Sequence, residues 1–241
     1  MLLFALPLYA IALVYGAAAL LPAIYLMRYI YRKDTVEKEP PMLLMSLLIY
    51  GVIAALISII LEKIGTKVLN SLMDQSTVGY TLVLAFAVVA VVEEGAKFAM
   101  LKRRTWNDMN FNYRFDGIVY AVFVSLGFAA FENIGYVLGY GLSVAPARAL
   151  LAIPGHMCFG VFMGTFYGRA KQCRVWGDKA EERANLWLGY IAAVLLHGFY
   201  DSCAMINTVA SSLIFIAFVV IMYIVVIKKV NKESQNDGPI T

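Results

Sequence analysis

Residues 79–101 read Gly-Tyr-Thr-Leu-Val-Leu-Ala-Phe-Ala-Val-Val-Ala-Val-Val-Glu-Glu-Gly-Ala-Lys-Phe-Ala-Met-Leu. The stretch matches the roughly 20 apolar residues that a bilayer-spanning helix needs. Yet it carries Glu93, Glu94 and Lys97. A charge at the bilayer centre costs roughly 2.5–3.5 kcal/mol on insertion scales. A span that keeps three such residues implies an internal polar site shielded from lipid.

The rest of the chain repeats the pattern. It has 241 residues, of which 61% are hydrophobic and 15% charged, with mean hydropathy +0.74. A soluble domain carries about a quarter charged residues. The apolar excess falls in seven blocks, roughly 4–27, 42–61, 79–101, 115–140, 147–169, 186–205 and 210–227. The expected fold is all-α, a polytopic membrane bundle of about seven transmembrane helices whose short connections make sequence neighbours antiparallel. The first block has no basic residue before it and reads as a retained span, not a cleaved signal. Residues 1–230 read as one transmembrane domain and 231–241 as a polar, disordered cytoplasmic tail. Cys158, Cys173 and Cys203 match no disulfide or zinc spacing.

Basic residues set the expected orientation. Sixteen follow spans one, three, five and seven, from Arg28 to Lys232, against Lys63, Lys67 and Arg148 on the opposite connections. This bias places the N-terminus outside and the C-terminus in the cytoplasm. It also explains the net charge of +4 without nucleic acid.

More polar residues lie inside spans: Glu132 in the fourth, His156 in the fifth, His197 and Asp201 in the sixth. The chain has only these two histidines. Glu93 and Lys97 share a helix face at i,i+4, as do His197 and Asp201. Glu132 forms a stripe with Tyr136 and Ser125. His156 lies in line with Ala149, Ala152, Gly160 and Gly164, a small-residue face suited to close helix approach. At 1.5 Å per residue, Glu93, His156 and His197 fall about 13–18 Å from the nearer span end. Glu132 and Asp201 come out nearer the outer face. Spans three to six are therefore expected to converge on one pocket. Asp116 reads as a carboxylate at the N-terminus of span four, and Arg148 as the outer boundary of span five.

Carboxylates and imidazoles in a shielded pocket suit water activation, with glutamate as base and histidine at the oxyanion. His156, His197, Glu93, Glu94 and Asp201 also form a possible zinc set. No His-Glu-x-x-His or Gly-x-Ser-x-Gly motif is present. These residues equally suit a proton- or cation-coupled transporter, and the Gly-rich faces around Gly160 and Gly164 suit a non-catalytic scaffold that binds other membrane proteins. Residue physics does not choose among these.

The motifs resemble a known family. Glu93-Glu94-x-x-Lys97, Phe115-Asp116-Gly117 with Glu132-Asn133-x-x-Tyr136, Arg148 with Pro154-Gly155-His156, and His197-Gly198-x-x-Asp201 resemble, in order, four signatures of the PrsW intramembrane proteases. The resemblance covers about residues 79–205 and extends to the wider CAAX prenyl endopeptidase group. It implies a bacterial cell-membrane protease making the first cut in a single-span anti-sigma factor, on the outer side. By the same resemblance Glu93 or Glu94 activates water, His156 assists, His197 and Asp201 complete the site, and Glu132 belongs to it. Lys97, Asn133, Tyr136, Arg148 and Asp116 would support them. Zinc and a metal-free glutamate mechanism both remain open.

Overall fold

A computed structural model describes residues 8–240, with the side chains of Leu8 and Ile11 left aside. Residues 4–7 of the first expected span lie outside this range. Seven helices follow one another: α1 (Leu8–Lys33), α2 (Pro41–Leu72), α3 (78–105), α4 (Asp116–Tyr140), α5 (Leu142–Val175), α6 (Lys179–Ile206) and α7 (Val209–Gln235). Six are long and apolar enough to cross a membrane. The seventh is α3, which carries the Glu93, Glu94 and Lys97 cluster. The chain is thus a multi-pass membrane bundle.

Local chemistry sets the helix ends. α2 begins at Pro41, where a missing N–H costs nothing. Thr77 caps α3 by accepting from the Tyr80 N–H, and Asp178 caps α6 by accepting from Ala180 and Glu181. Thr208 and Ser211 form a reciprocal capping box on α7. α6 closes on Asn207 in a left-handed conformation, φ 51°.

α4 is the hub, packed against α1, α2, α3 and α5. In its most apolar stretch 78% of residues are buried, against 22% for α7, so α4 forms the core and α7 faces outward. Exposed Ile49, Ile53 and Leu56 of α2 and Leu213, Ile216 and Val220 of α7 give an apolar outer surface suited to lipid.

Between helices already bathed in lipid, association depends on close packing, which small residues permit. A Cβ on Gly164 of α5 would fall 2.6 Å from Ile118 Cα of α4. A Cβ on Gly117 would fall 2.7 Å from the Gly164 carbonyl oxygen. This seam brings α4 and α5 together along the face predicted for His156. Gly198 of α6 does the same against Phe86 of α3.

The basic connections gather at one end of the bundle. Glu233 of α7 meets Arg114, Arg169 and Lys229 at 3.9, 3.6 and 3.7 Å. Ser234 Oγ donates to the Lys33 carbonyl, and Lys171 Nζ to that of Trp106 at 2.8 Å.

Two expectations need correction. α2 continues to Leu72 rather than ending near residue 61, because apolar positions such as Val68 and Leu69 extend its pattern beyond Glu62 and Lys63. Residues 231–240 of the expected tail take a defined place in the fold, 231–235 as the end of α7, while Thr241 lies outside the described residues. The Ile240 N–H donates to the Asn112 carbonyl at 2.7 Å, Tyr113 pairs with Pro239, and Asp237 accepts from the Phe115 N–H at 2.9 Å. The tail's backbone and the Asp237 carboxylate satisfy groups of the α3–α4 loop that water would otherwise serve.

At the same end, burial pushes the Asp34 carboxyl up to about 6 and the Glu39 carboxyl up to about 7, with neighbouring carboxylates adding to the rise. Both groups hold protons more tightly folded than unfolded. Their contribution is complete below the ordinary carboxylate range and is lost as pH rises through about 6 and about 7. The melting temperature of detergent-purified protein is therefore expected to fall between about pH 5 and pH 8. Glu39→Gln should flatten that slope; an identical slope in the variant contradicts the assignment.

Candidate active site

Lys97 stands at the centre of the polar cluster. Its Nζ donates to Glu93 Oε2 at 3.0 Å and to Glu94 Oε1 at 2.8 Å, both one turn away on α3. It also lies 3.0 Å from His156 Nδ1 on α5 and 4.0 Å from the centre of the Phe128 ring on α4. The side chain is fully buried. An ammonium has three protons and accepts none. His156 Nδ1 must therefore be the acceptor, which leaves the ring proton on Nε2.

That proton meets the next link. His156 Nε2 lies 3.2 Å from Glu132 Oε2 of α4. The same oxygen accepts from the Arg148 guanidinium at 2.7 Å. Arg148 Nε donates to Asn133 Oδ1 at 2.8 Å, and Asn133 Nδ2 donates to the Ala19 carbonyl of α1 at 2.8 Å. The guanidinium also lies 3.8 Å from the centre of the Tyr136 ring. Arg148 thus turns inward and joins the cluster instead of only marking the span boundary.

On the other side of Lys97, His197 of α6 places Nδ1 2.8 Å from Glu94 Oε1 and Nε2 3.3 Å from Asp201 Oδ2. A ring with a carboxylate at each nitrogen donates at both, the pattern of an imidazolium. Phe159 stacks on it with ring centres 4.8 Å apart and planes within 17°.

Two π-helical stretches flank these groups, Leu84–Ala90 just before Glu93 and Arg148–Ala152 just before His156. Such bulges rotate the following face of a helix and recur at functional sites.

Above the cluster lies a cavity of about 400 Å³. Glu93, Glu132, His156, His197 and Asp201 line it, with Tyr136 and Arg148. Its other walls come from the late part of α2, the end of α6 and the start of α7, so it lies toward the end opposite the basic connections. Glu94 and Lys97 sit beneath the wall and do not line it.

The structure thus brings together every expected site residue except Asp116. Asp116 lies at the opposite, basic end, where its Oδ2 accepts from the Asn112 and Tyr113 N–H groups at 3.1 and 2.7 Å. Its place at the start of α4 is the expected one, but it supports a loop rather than the site. Glu62, Phe159 and Tyr200 also line the cavity and were not anticipated. The continued apolar pattern of α2 was the available signal for Glu62.

Residues 39–227 match a family described as the PrsW family intramembrane metalloproteases. "Protease PrsW" of Bacillus subtilis (strain 168) is 33% identical over 185 residues, 77% of this chain and 80% of that protein. The Geobacillus kaustophilus (strain HTA426) protein of the same name is 32% identical over 185 residues, 77% of each chain. That of Clostridioides difficile (strain 630) is 31% identical over 218 residues, 89% of each chain. No solved structure matches.

Removing one partner from a buried charge cluster strands the others, at a cost of about 3–5 kcal/mol. Lys97→Met should therefore lower the melting temperature steeply, and adding Glu94→Gln should recover part of the loss. A melting temperature equal to that of the parent protein contradicts the central role of Lys97.

Proposed function

The chain belongs to the PrsW family of intramembrane proteases, and on that premise we propose that it hydrolyses a peptide bond with water activated by Glu93. It is a peptidase and a multi-pass protein of the bacterial cell membrane. That assignment displaces the transporter and scaffold readings.

One observation supports Glu93 over Glu94 as the base: Glu93 lines the cavity and Glu94 does not. Glu94 is fully buried and accepts from both Lys97 and His197. Its role is to position those two cations. Glu93 spends one oxygen, Oε2, on Lys97, which leaves the other for water.

The family description implies a metal. Among the described residues one set has metal-ligand spacing, Glu93, Glu94 and His156, with donor atoms within 4.8 Å of one another. Lys97 Nζ contacts each of these residues at 2.8–3.0 Å. The ammonium already draws on all three donor groups, so the set does not fit a resident metal. Lys97 is the internal cation of this site.

The proposed reaction then runs on protein groups alone. Glu93 takes a proton from a cavity water as the oxygen attacks the peptide carbonyl. His197, whose Nε2 contact to Asp201 is the longer of its two, turns that N–H to the oxyanion. Glu93 returns the proton to the leaving amine. Glu132, Arg148 and Asn133 hold His156 and the cavity wall in place, and Phe159 fixes the His197 ring plane.

By the positive-inside bias, the end with the basic connections is cytoplasmic, the N-terminus is outside and the cavity opens toward the outer half of the bilayer. A single-span membrane protein would supply the substrate, most simply an anti-sigma factor cut on its outer side. A helix ties up its own backbone carbonyls, so the segment must unwind before attack.

The test uses purified protein in proteoliposomes with a single-span reporter. Glu93→Gln should lower kcat on the order of 10²–10⁴-fold, the usual contribution of a general base. Glu94→Gln should act through the His197 and Lys97 contacts and leave a measurable rate. Full activity in Glu93→Gln would end the assignment.

A further inference from the structure

Every carboxylate in the cavity wall except one has its own cation. Glu93 has Lys97 at 3.0 Å, Glu132 has Arg148 at 2.7 Å, and Asp201 has His197 at 3.3 Å. The exception is Glu62 of α2, which lines the same cavity. It makes no hydrogen bond or ion pair with the described residues. Its own helix supplies none either: the positions three and four residues away hold Ser58, Ile59, Gly65 and Thr66. The side chain is half-buried, so solvent does not fully replace a partner. Carboxylates therefore outnumber cations around the space the substrate must enter.

An uncompensated carboxylate in a low-dielectric wall attracts a cation strongly. Arg148, the one guanidinium lining the cavity, is already engaged by Glu132 and Asn133. No cation of the described residues reaches Glu62, so either a proton or a cation brought into the cavity meets its charge, and a substrate ammonium or guanidinium can displace the proton. We propose that Glu62 is a specificity residue that binds a lysine or arginine side chain of the substrate close to the scissile bond. The inference rests on the peptidase reading and on this cavity receiving the substrate. A long basic side chain suits the place, since the wall also carries apolar residues such as Leu151 and Phe215 that can cover a stem whose head meets the carboxylate. The contact also opposes substrates with an acidic residue there, which repulsion from Glu62 and Asp201 would exclude.

The test compares three single-span reporters that differ only by Lys, Gln or Glu, scanned through the residues beside the cut. They are reconstituted with the full chain in zwitterionic phosphatidylcholine vesicles. At one position, wild-type kcat/KM is expected to favour Lys over Gln by roughly tenfold. Glu62→Gln should bring that ratio to about one. Glu62→Lys should invert it in favour of Glu. The ratio is taken within each variant, so a general loss of folding cancels. Equal cleavage of all three reporters by wild type overturns the proposal and leaves the peptidase reading intact, as does a ratio that survives both substitutions. Failure of wild type to cut any reporter overturns both.

Discussion

An ammonium buried among two carboxylates and an imidazole is the constraint around which the molecule is arranged. Taking such charges out of water costs several kcal/mol per ion, and only close, well-directed partners offset it. Lys97 finds all of them within 3.0 Å. Glu93 and Glu94 come from its own helix, but His156 comes from α5. Glu94 reaches on to His197 of α6, and His156 to Glu132 of α4. Four helices are thereby tied by charge at one level of the bundle. Each donor's direction is dictated by its neighbour, which fixes the His156 tautomer and leaves Glu93 as the carboxylate next to Lys97 that faces open space.

Packing makes that convergence possible. α4 and α5 approach through Gly117 and Gly164, and α3 and α6 through Phe86 and Gly198. In each case the close contact lies on the helix pair whose polar side chains must meet. A bulkier residue would push the helices apart and lengthen the hydrogen bonds on which the cluster depends. The outer helices α1 and α7 contribute little charge to the centre. They serve as apolar walls that keep lipid away from it, α1 adding the Ala19 carbonyl that anchors Asn133.

Much of this was legible in the sequence, for a specific reason. Charges in apolar spans are expensive, so Glu93, Lys97, Glu132, His156, His197 and Asp201 stood out against their surroundings, and helical spacing put them on shared faces. The long apolar blocks likewise marked the helices. What escaped was whatever depended on a boundary. Glu62 fell just past the expected second span, 42–61, whereas α2 continues for ten residues beyond it. Arg148 looked like an interface anchor, and only the tertiary structure shows it reaching Glu132. Asp116 carried the family motif yet serves the opposite end of the bundle. The tail is polar and short, and nothing local signals that its backbone completes the α3–α4 loop.

The account stands on Lys97 acting as the cation of the site in place of a metal. The direct measurement is metal content by mass spectrometry on purified, cleavage-competent protein, with activity followed before and after treatment with a strong chelator. The account predicts cleavage at full rate with far less than one transition-metal ion per chain. One bound ion per chain, whose removal abolishes cleavage and whose return restores it, would contradict it.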